Sequence, residues 1–207
     1  ICRETETTLY MVLLSAFNVL LAKYSGQEDI VVGSPIAGRT HSDVSDIIGM
    51  FLNTLAMRNN PSGDQTFSSF LKEVKENSLE AFENQTYQFE DLVENLDIVR
   101  DMSRNPLFDV AFSMQNTNID PLEIDGLQIS PYNYQNQISK FDLTISAVEE
   151  DDNLILSFEY SVRLFKEETV RRMILHLINI LEKITDNRDI TLAQIELVSQ
   201  REKEEIL

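Results

Sequence analysis

Helical and strand periods alternate along this chain, and they predict an α/β or α+β fold built in layers. Three observations carry that reading. A long apolar segment with a helical period runs into the β-branched stretch EDIVVGSPI. The alternating runs FDLTISAV and LILSFEYSV flank the acidic turn EEDDN, as the two arms of a hairpin do. A last long segment then returns to the helical period.

The first helix is expected from about Thr7 to Tyr24, stopped at Ser25-Gly26, where glycine takes the left-handed cap conformation. Leu9, Val12, Leu13, Ala16, Phe17, Leu20 and Leu21 leave it apolar on most sides, which predicts deep burial. NTLAMR, 53–58, alternates and reads as a strand before the NNPSGD break. From Thr66 to about Gln85, Phe67, Phe70, Leu71, Val74, Ala81 and Phe82 keep a helical period, and a shorter helix follows from Phe89 to Leu96. LFDVAFSMQ alternates, with Phe108, Val110, Phe112 and Met114 expected on one face. The last amphipathic helix carries Val170, Met173, Ile174, Leu177, Leu181 and Ile184. Ser199 and Glu202 have the spacing of a capping box, so a short charged helix is expected at the very end. A helix beginning where the sequence stops suggests a piece of a longer polypeptide.

Bulk properties exclude some functions. A chain of 207 residues can bury a real core. Its net charge of -18 argues against nucleic acid, which needs a basic surface, and against anionic membranes. Cys2 is the only cysteine, so an internal disulfide or a cysteine zinc site is excluded, in keeping with a reducing cytoplasm. The run Leu9 to Ala22 is interrupted by Ser15 and Asn18 and falls short of the roughly 20 apolar residues a membrane span needs. It also lacks a signal peptide's basic leader and small-residue cleavage site.

The stretch VVGSPIAGRT, 31–40, raises the question of nucleotide binding, with Gly33, four residues, Gly38, then Arg39 and Thr40 after a strand. A phosphate loop needs lysine where Arg39 stands and inward-pointing N–H groups, one of which Pro35 removes. That reading fails. The two histidines, His41 and His176, match no catalytic or metal motif, and both read as solvated.

Taken in order, EDIVVGSPIAGR, IIGMFLNTLAMR, ENQTYQFEDLVENL and RDMSRNPLFDVAFSMQN resemble four successive motifs of nonribosomal peptide synthetase condensation domains. KFDLTI, FEYSVRLF and the junction ELVSQREKEEIL are also similar to that family, so the resemblance covers nearly the whole chain. It implies an α/β fold, a two-layer mixed sheet packed by helices like one lobe of chloramphenicol acetyltransferase. It further implies that residues 1–185 are the C-terminal lobe and 186–207 a linker toward an adenylation domain. The implied reaction is amide-bond formation between two carrier-bound thioesters. No cofactor would be bound directly, phosphopantetheine arriving on donor and acceptor carrier proteins, and no metal is implied. The family's catalytic HHxxxDG motif belongs to the N-terminal lobe and is absent here, so this chain alone is expected to be inactive. A non-catalytic carrier-recruiting module and part of an epimerisation domain are the alternatives.

By the same resemblance, Gly33, Ser34, Pro35, Gly38 and Arg39 belong to a loop that crosses to the other lobe and floors the tunnel. Gly33 and Gly38 would allow chain reversals, and Arg39 would pair with a carboxylate or a backbone carbonyl. Asn53 would offer its amide to substrate or pantetheine. Arg100, Arg104 and Asp142 would be structural, with the arginines in buried or interlobe pairs, and about 115–129 would form a latch. Asn84-Gln85-Thr86 departs from the family's H-Q-D or N-Q-D, which removes a carboxylate at position 86.

Overall fold

The first long helix begins at a threonine and ends at a glycine, and both ends follow from local chemistry. Thr8 accepts a hydrogen bond from the Met11 amide, and Gly26 closes the helix at φ 70° with its N–H on the Ala22 carbonyl. In this computed structural model residues 1–96, 98, 101, 104–115, 126, 127, 138–150, 153–198 and 202 are described. The helices are α1 (Cys2–Thr5), α2 (Leu9–Ser25), α3 (Phe67–Glu83), α4 (Phe89–Asn95) and α5 (Glu167–Asp186). The strands are β1 (Ile30–Ile36), β2 (Asn53–Asn59), β3 (Val110–Gln115), β4 (Leu143–Glu150) and β5 (Asn153–Tyr160). The sequence pattern missed α1, a single turn closed by Glu6 in the left-handed conformation at φ 52°.

The strands form one five-stranded sheet in the order β2-β1-β3-β4-β5. Its outer pairs are antiparallel hairpins, and the inner pairings, β1 with β3 and β3 with β4, are parallel. Helices α2, α3 and α5 form the second layer, with α2 packed on both of the others. Leu14, Ala16, Phe17, Val19 and Leu20 of α2 are fully buried. Burial of each large side chain contributes about 1.5–3 kcal/mol, which is why α2 is apolar on most sides rather than striped. Two polar residues inside it donate to carbonyls one turn back, Ser15 to Met11 and Asn18 Nδ2 to Leu14, each at 2.7 Å, while the buried Asn18 Oδ1 finds no partner among the described residues.

Several expectations are corrected. Gly33 makes no reversal; it is mid-strand in β1, paired with Ala56 of β2 and Ala111 of β3. A side chain there would collide with the ring of Phe108, so glycine is required for close approach. Ser34 and Pro35 are likewise strand residues, and the connection to β2 begins only after Ile36. Phe108 precedes β3 and packs over Gly33 between Phe89 and Phe141, at ring separations of 5.4 and 5.6 Å, rather than sharing the face of Phe112. His176 is not solvated but 8% exposed, and Ile180 of the same helix is fully buried. Tyr24 Oη lies 2.8 Å from its Nδ1 and Glu202 Oε1 3.3 Å from its Nε2.

Ser199 of the expected terminal helix, Arg100 and nearly all of the expected latch lie outside the described residues. The segment after α5 is anchored on the domain. Thr191 bridges to Thr66, Leu192 and Ile195 are buried, and Asn179 donates to the carbonyls of Glu196 and Leu197 at 2.8 and 3.1 Å.

Gly33→Ala should destabilise the domain by about 1–3 kcal/mol, the range for overpacking a filled site. Urea unfolding should show a lower midpoint at an unchanged slope, and adding Phe108→Leu should recover part of the loss. Equal stability of Gly33→Ala and the parent would show that the Phe108 ring moves freely.

Candidate functional site

The registered pairing of β1 with β3 is at Gly33 and Ala111. One residue further on, a side-chain relay links α2 and both strands. The Tyr10 hydroxyl donates to Ser34 Oγ at 2.8 Å, and Ser34 Oγ donates to the Phe112 carbonyl at 3.1 Å. Pro35, with no N–H to leave unpaired, occupies the next position. Beside the relay lies a cleft of about 520 Å³ between the start of α2, the end of β1, the end of α3 and Met114.

Tyr10, which the sequence reading did not single out, is the centre of this cleft. Its ring stands edge-on to Phe82 at 5.9 Å and tilted against Phe112 at 5.4 Å. Burial pushes its hydroxyl pKa up to about 12, offset in part by the bond with Ser34. A polar-tipped ring in the first turn of an otherwise apolar helix was the available signal. Ser34, Pro35, Gly38 and Arg39 of the expected floor all line the cleft, whereas Gly33 lies behind it under Phe108.

Past Ile36 the chain turns at Gly38, whose φ of 66° favours glycine and whose missing side chain admits the Phe51 carbonyl. Arg39 then gathers the loop 37–52 around itself. Its guanidinium donates to the Val44 carbonyl and, at 3.1 Å, to the Gly49 carbonyl, while the Phe51 ring lies 4.5 Å beneath. Outside this bracket Ile47, Ile48, Met50 and Leu52 are 49, 101, 85 and 63% exposed, an apolar surface with no cover among the described residues.

Asn53, the first residue of β2, is buried and uses every polar site of its amide. Nδ2 donates to the Gln85 and Tyr87 carbonyls at 2.9 and 2.8 Å, and Oδ1 accepts from the amides of Thr54 and Phe89 at 2.8 and 3.1 Å. A carboxamide has two N–H donors and one carbonyl oxygen, so Asn53 fixes the turn between α3 and α4 and has no free donor to present. Arg104 forms an ion pair with Asp109, but the pair is not buried: the arginine side chain is 65% exposed. The Asp142 amide donates to the Asp109 carbonyl at 2.8 Å. Burial raises the Asp142 carboxyl pKa, the Asp109 charge adds to that rise, and Arg104 opposes it.

Chemically the cleft shapes and positions. Among the described residues its ionisable lining groups are Tyr10 and Arg39. His41 is exposed and caps a short turn through Asp43, and His176 is tied to Tyr24 and Glu202 on α5. Among the described residues no three His, Cys, Asp or Glu side chains gather as a metal site requires, and no helix is long and apolar enough to cross a membrane.

Asn53→Ala strands two carbonyls and two amides, and should cost about 1–3 kcal/mol, read as a lower urea midpoint. An unchanged midpoint would mean that water replaces the amide. Tyr10 carries a pH signature of definite sign. Its folded pKa lies above the unfolded value near 10, so the native state holds the proton more tightly. That contribution is complete below about pH 10 and is lost as pH rises toward 12, roughly 2–3 kcal/mol in all. Tyr10→Phe should flatten that part of the alkaline stability curve, and parallel curves for the two proteins would overturn the assignment.

The comparisons with known proteins agree with one another. The family model described as "Condensation domain" matches residues 1–207. Gramicidin S synthase 2 of Brevibacillus brevis is 50% identical over 100% of the chain, which spans 5% of that protein. Bacitracin synthase 3 of Bacillus licheniformis is 52% identical over 100% of the chain, which spans 3% of it. Among solved structures, a four domain nonribosomal peptide synthetase bound to AMP and glycine superposes with TM-score 0.88 at 22% identity, over 98% of this chain and 16% of that one. The condensation domain from the Monacolin K polyketide synthase gives TM-score 0.82 at 22% identity, over 93% of this chain and 44% of that one. The fold is that of these proteins, a mixed α/β, chloramphenicol acetyltransferase-like arrangement. The chain belongs to the condensation domain family of nonribosomal peptide synthetases.

Proposed function

We propose that this chain is the C-terminal lobe of a condensation domain, supplying the floor and acceptor side of a tunnel in which two carrier-bound thioesters are joined. The observation that carries the reading is the loop 37–52, pinned from within by Arg39 while Ile47, Ile48, Met50 and Leu52 face outward. An ordered loop with an uncovered apolar rim is suited to crossing onto a second lobe. The chain's 44% share of the Monacolin K condensation domain supports a half of that unit.

In the proposed reaction the acceptor amine attacks the donor thioester carbonyl. A C–N bond forms, the C–S bond breaks, the donor thiol leaves on its pantetheine arm, and the amine gives up a proton. The HHxxxDG histidine of the N-terminal lobe manages that proton and the developing oxyanion. Residues of this chain contribute geometry: the relay from Tyr10 through Ser34 to Phe112 holds the cleft open, and the Asn53 bracket holds the 84–89 turn beside it. Positioning of this kind supplies a large share of the rate in two-substrate reactions. The partners are the N-terminal lobe, donor and acceptor carrier proteins bearing phosphopantetheine, and an adenylation domain. The last of these would be reached through the segment anchored by Leu192, Ile195 and the contact of Glu202 with His176.

Incubated with donor-loaded and acceptor-loaded carriers, the chain alone should give no dipeptidyl carrier by intact-protein mass spectrometry. The intact two-lobe domain should give product. Ile48→Asp with Met50→Asp should weaken assembly of separately made lobes by about tenfold or more, in keeping with the loss of two buried apolar contacts. Product from the chain alone would show chemistry in this half. An intact domain that binds both carriers without forming amide would establish a recruiting module instead.

A further inference from the structure

The two edges of the sheet are finished differently. At the β2 edge, Asn77 of α3 donates to the Arg58 carbonyl at 3.2 Å, and Asn53 binds the 84–89 turn against the start of the strand. At the other edge β5 pairs with β4 through eight consecutive positions and, among the described residues, with no strand on its far side. Alternate residues of β5 therefore direct an N–H and a C=O away from the sheet. Strands that end a sheet are ordinarily guarded by lysine, proline, a bulge or a covering loop. Asn153–Tyr160, with the sequence NLILSFEY, has neither lysine nor proline, and its unbroken register leaves no bulge.

The side chains of β5 agree with its backbone. Leu156, Phe158 and Tyr160 stand opposite Ala147, Ile145 and Leu143 of β4. Those three are buried, whereas their β5 partners are only partly so. Leu154 and Ile155, on opposite faces of the strand, are 38 and 44% exposed. Apolar residues on both faces are the composition of an interior strand rather than an edge.

We propose that β5 is the docking edge for a further strand, supplied by the part of the condensation domain outside this chain. More than half of the Monacolin K condensation domain lies outside the 44% that this chain covers, which is ample length for one strand. The incoming strand is apolar at alternate positions, to cover Leu156 and Phe158. It is basic near the end that meets Glu149 and Glu150, which stand opposite Leu154 and Asn153. A second copy of this chain is the wrong partner, since it would bring its own net charge of -18 to that edge. The proposal rests on the reading of the chain as one part of a larger condensation domain, but not on the chemistry of the tunnel.

Amide hydrogen exchange tests it directly. In the chain alone, the β5 amides that point away from β4 should exchange at least about a hundredfold faster than those bonded to β4. In the intact two-lobe domain, isotope-labelled over residues 1–207 only, both sets should be protected. Nuclear Overhauser contacts should then join β5 backbone protons to unlabelled residues. Leu154→Lys combined with Ile155→Lys, both at exposed positions, should leave the melting temperature of the chain within about 3 °C. The same pair should weaken assembly with the separately made remainder of the domain by about tenfold or more.

Outward β5 amides still unprotected in the intact domain would overturn the proposal. So would their protection in the dilute chain alone, or assembly indifferent to the two lysines. Protection that appears in the chain only as its concentration rises, with a dimer in sedimentation, would assign the edge to a second copy and overturn it too. An intact domain that protects β5 yet forms no amide would sink the tunnel reading and leave the edge assignment standing.

Discussion

The relay from the Tyr10 hydroxyl through Ser34 to the Phe112 carbonyl decides the shape of everything around it. Parallel strands normally run side by side, held by evenly spaced backbone bonds. Here the registered pairing between β1 and β3 is at Gly33 and Ala111, and side chains add a second link one residue further on. Because the relay is bonded at each step and largely buried, it ties α2, β1 and β3 together instead of forming a loose polar defect. The cleft and Pro35 lie directly beside it.

A second constraint works on the opposite side of β1. Gly33 leaves room for the Phe108 ring, and Phe108 in turn meets Phe89 of α4 and Phe141 ahead of β4. One missing side chain thus lets an aromatic cluster tie the two hairpins together on the face away from α2. Asn53 completes the arrangement by holding the carbonyls of Gln85 and Tyr87 and the amide of Phe89, which sets the position from which α4 presents its ring. Cleft geometry and fold stability are coupled at these residues, since the groups that hold the cleft are the groups that hold the sheet.

Much of the fold was legible because it rests on short-range signals. The helical period of α3, the caps at Thr8 and Gly26, and the alternation of β4 and β5 are each written within a few residues. The failures are long-range. Gly33 resembled a turn glycine, because the need for close approach comes from Phe108, far along the chain. His176 looked solvated because the partners that bury it, Tyr24 and Glu202, come from opposite ends of the sequence. Tyr10 was not singled out, and Met114 was read only as part of one strand face, for the same reason. The resemblance grouped Ser34 with Arg39, which both line the cleft, and no local pattern would have done so.

The loop 37–52 shows how a chain can carry an exposed apolar surface without losing order. Association is opposed by the entropy of fixing flexible segments at the interface. Arg39 removes much of that opposition beforehand, since one planar guanidinium bonds carbonyls at both Val44 and Gly49 and lies over Phe51. The side chains left outside are then presented on a preformed rim. The net charge of -18 works in the same direction from a distance, keeping such a surface from meeting copies of itself while leaving a complementary surface free to dock. Preorganised apolar contact within a strongly repelling exterior is a physical basis for a surface that meets a complementary one rather than a copy of itself.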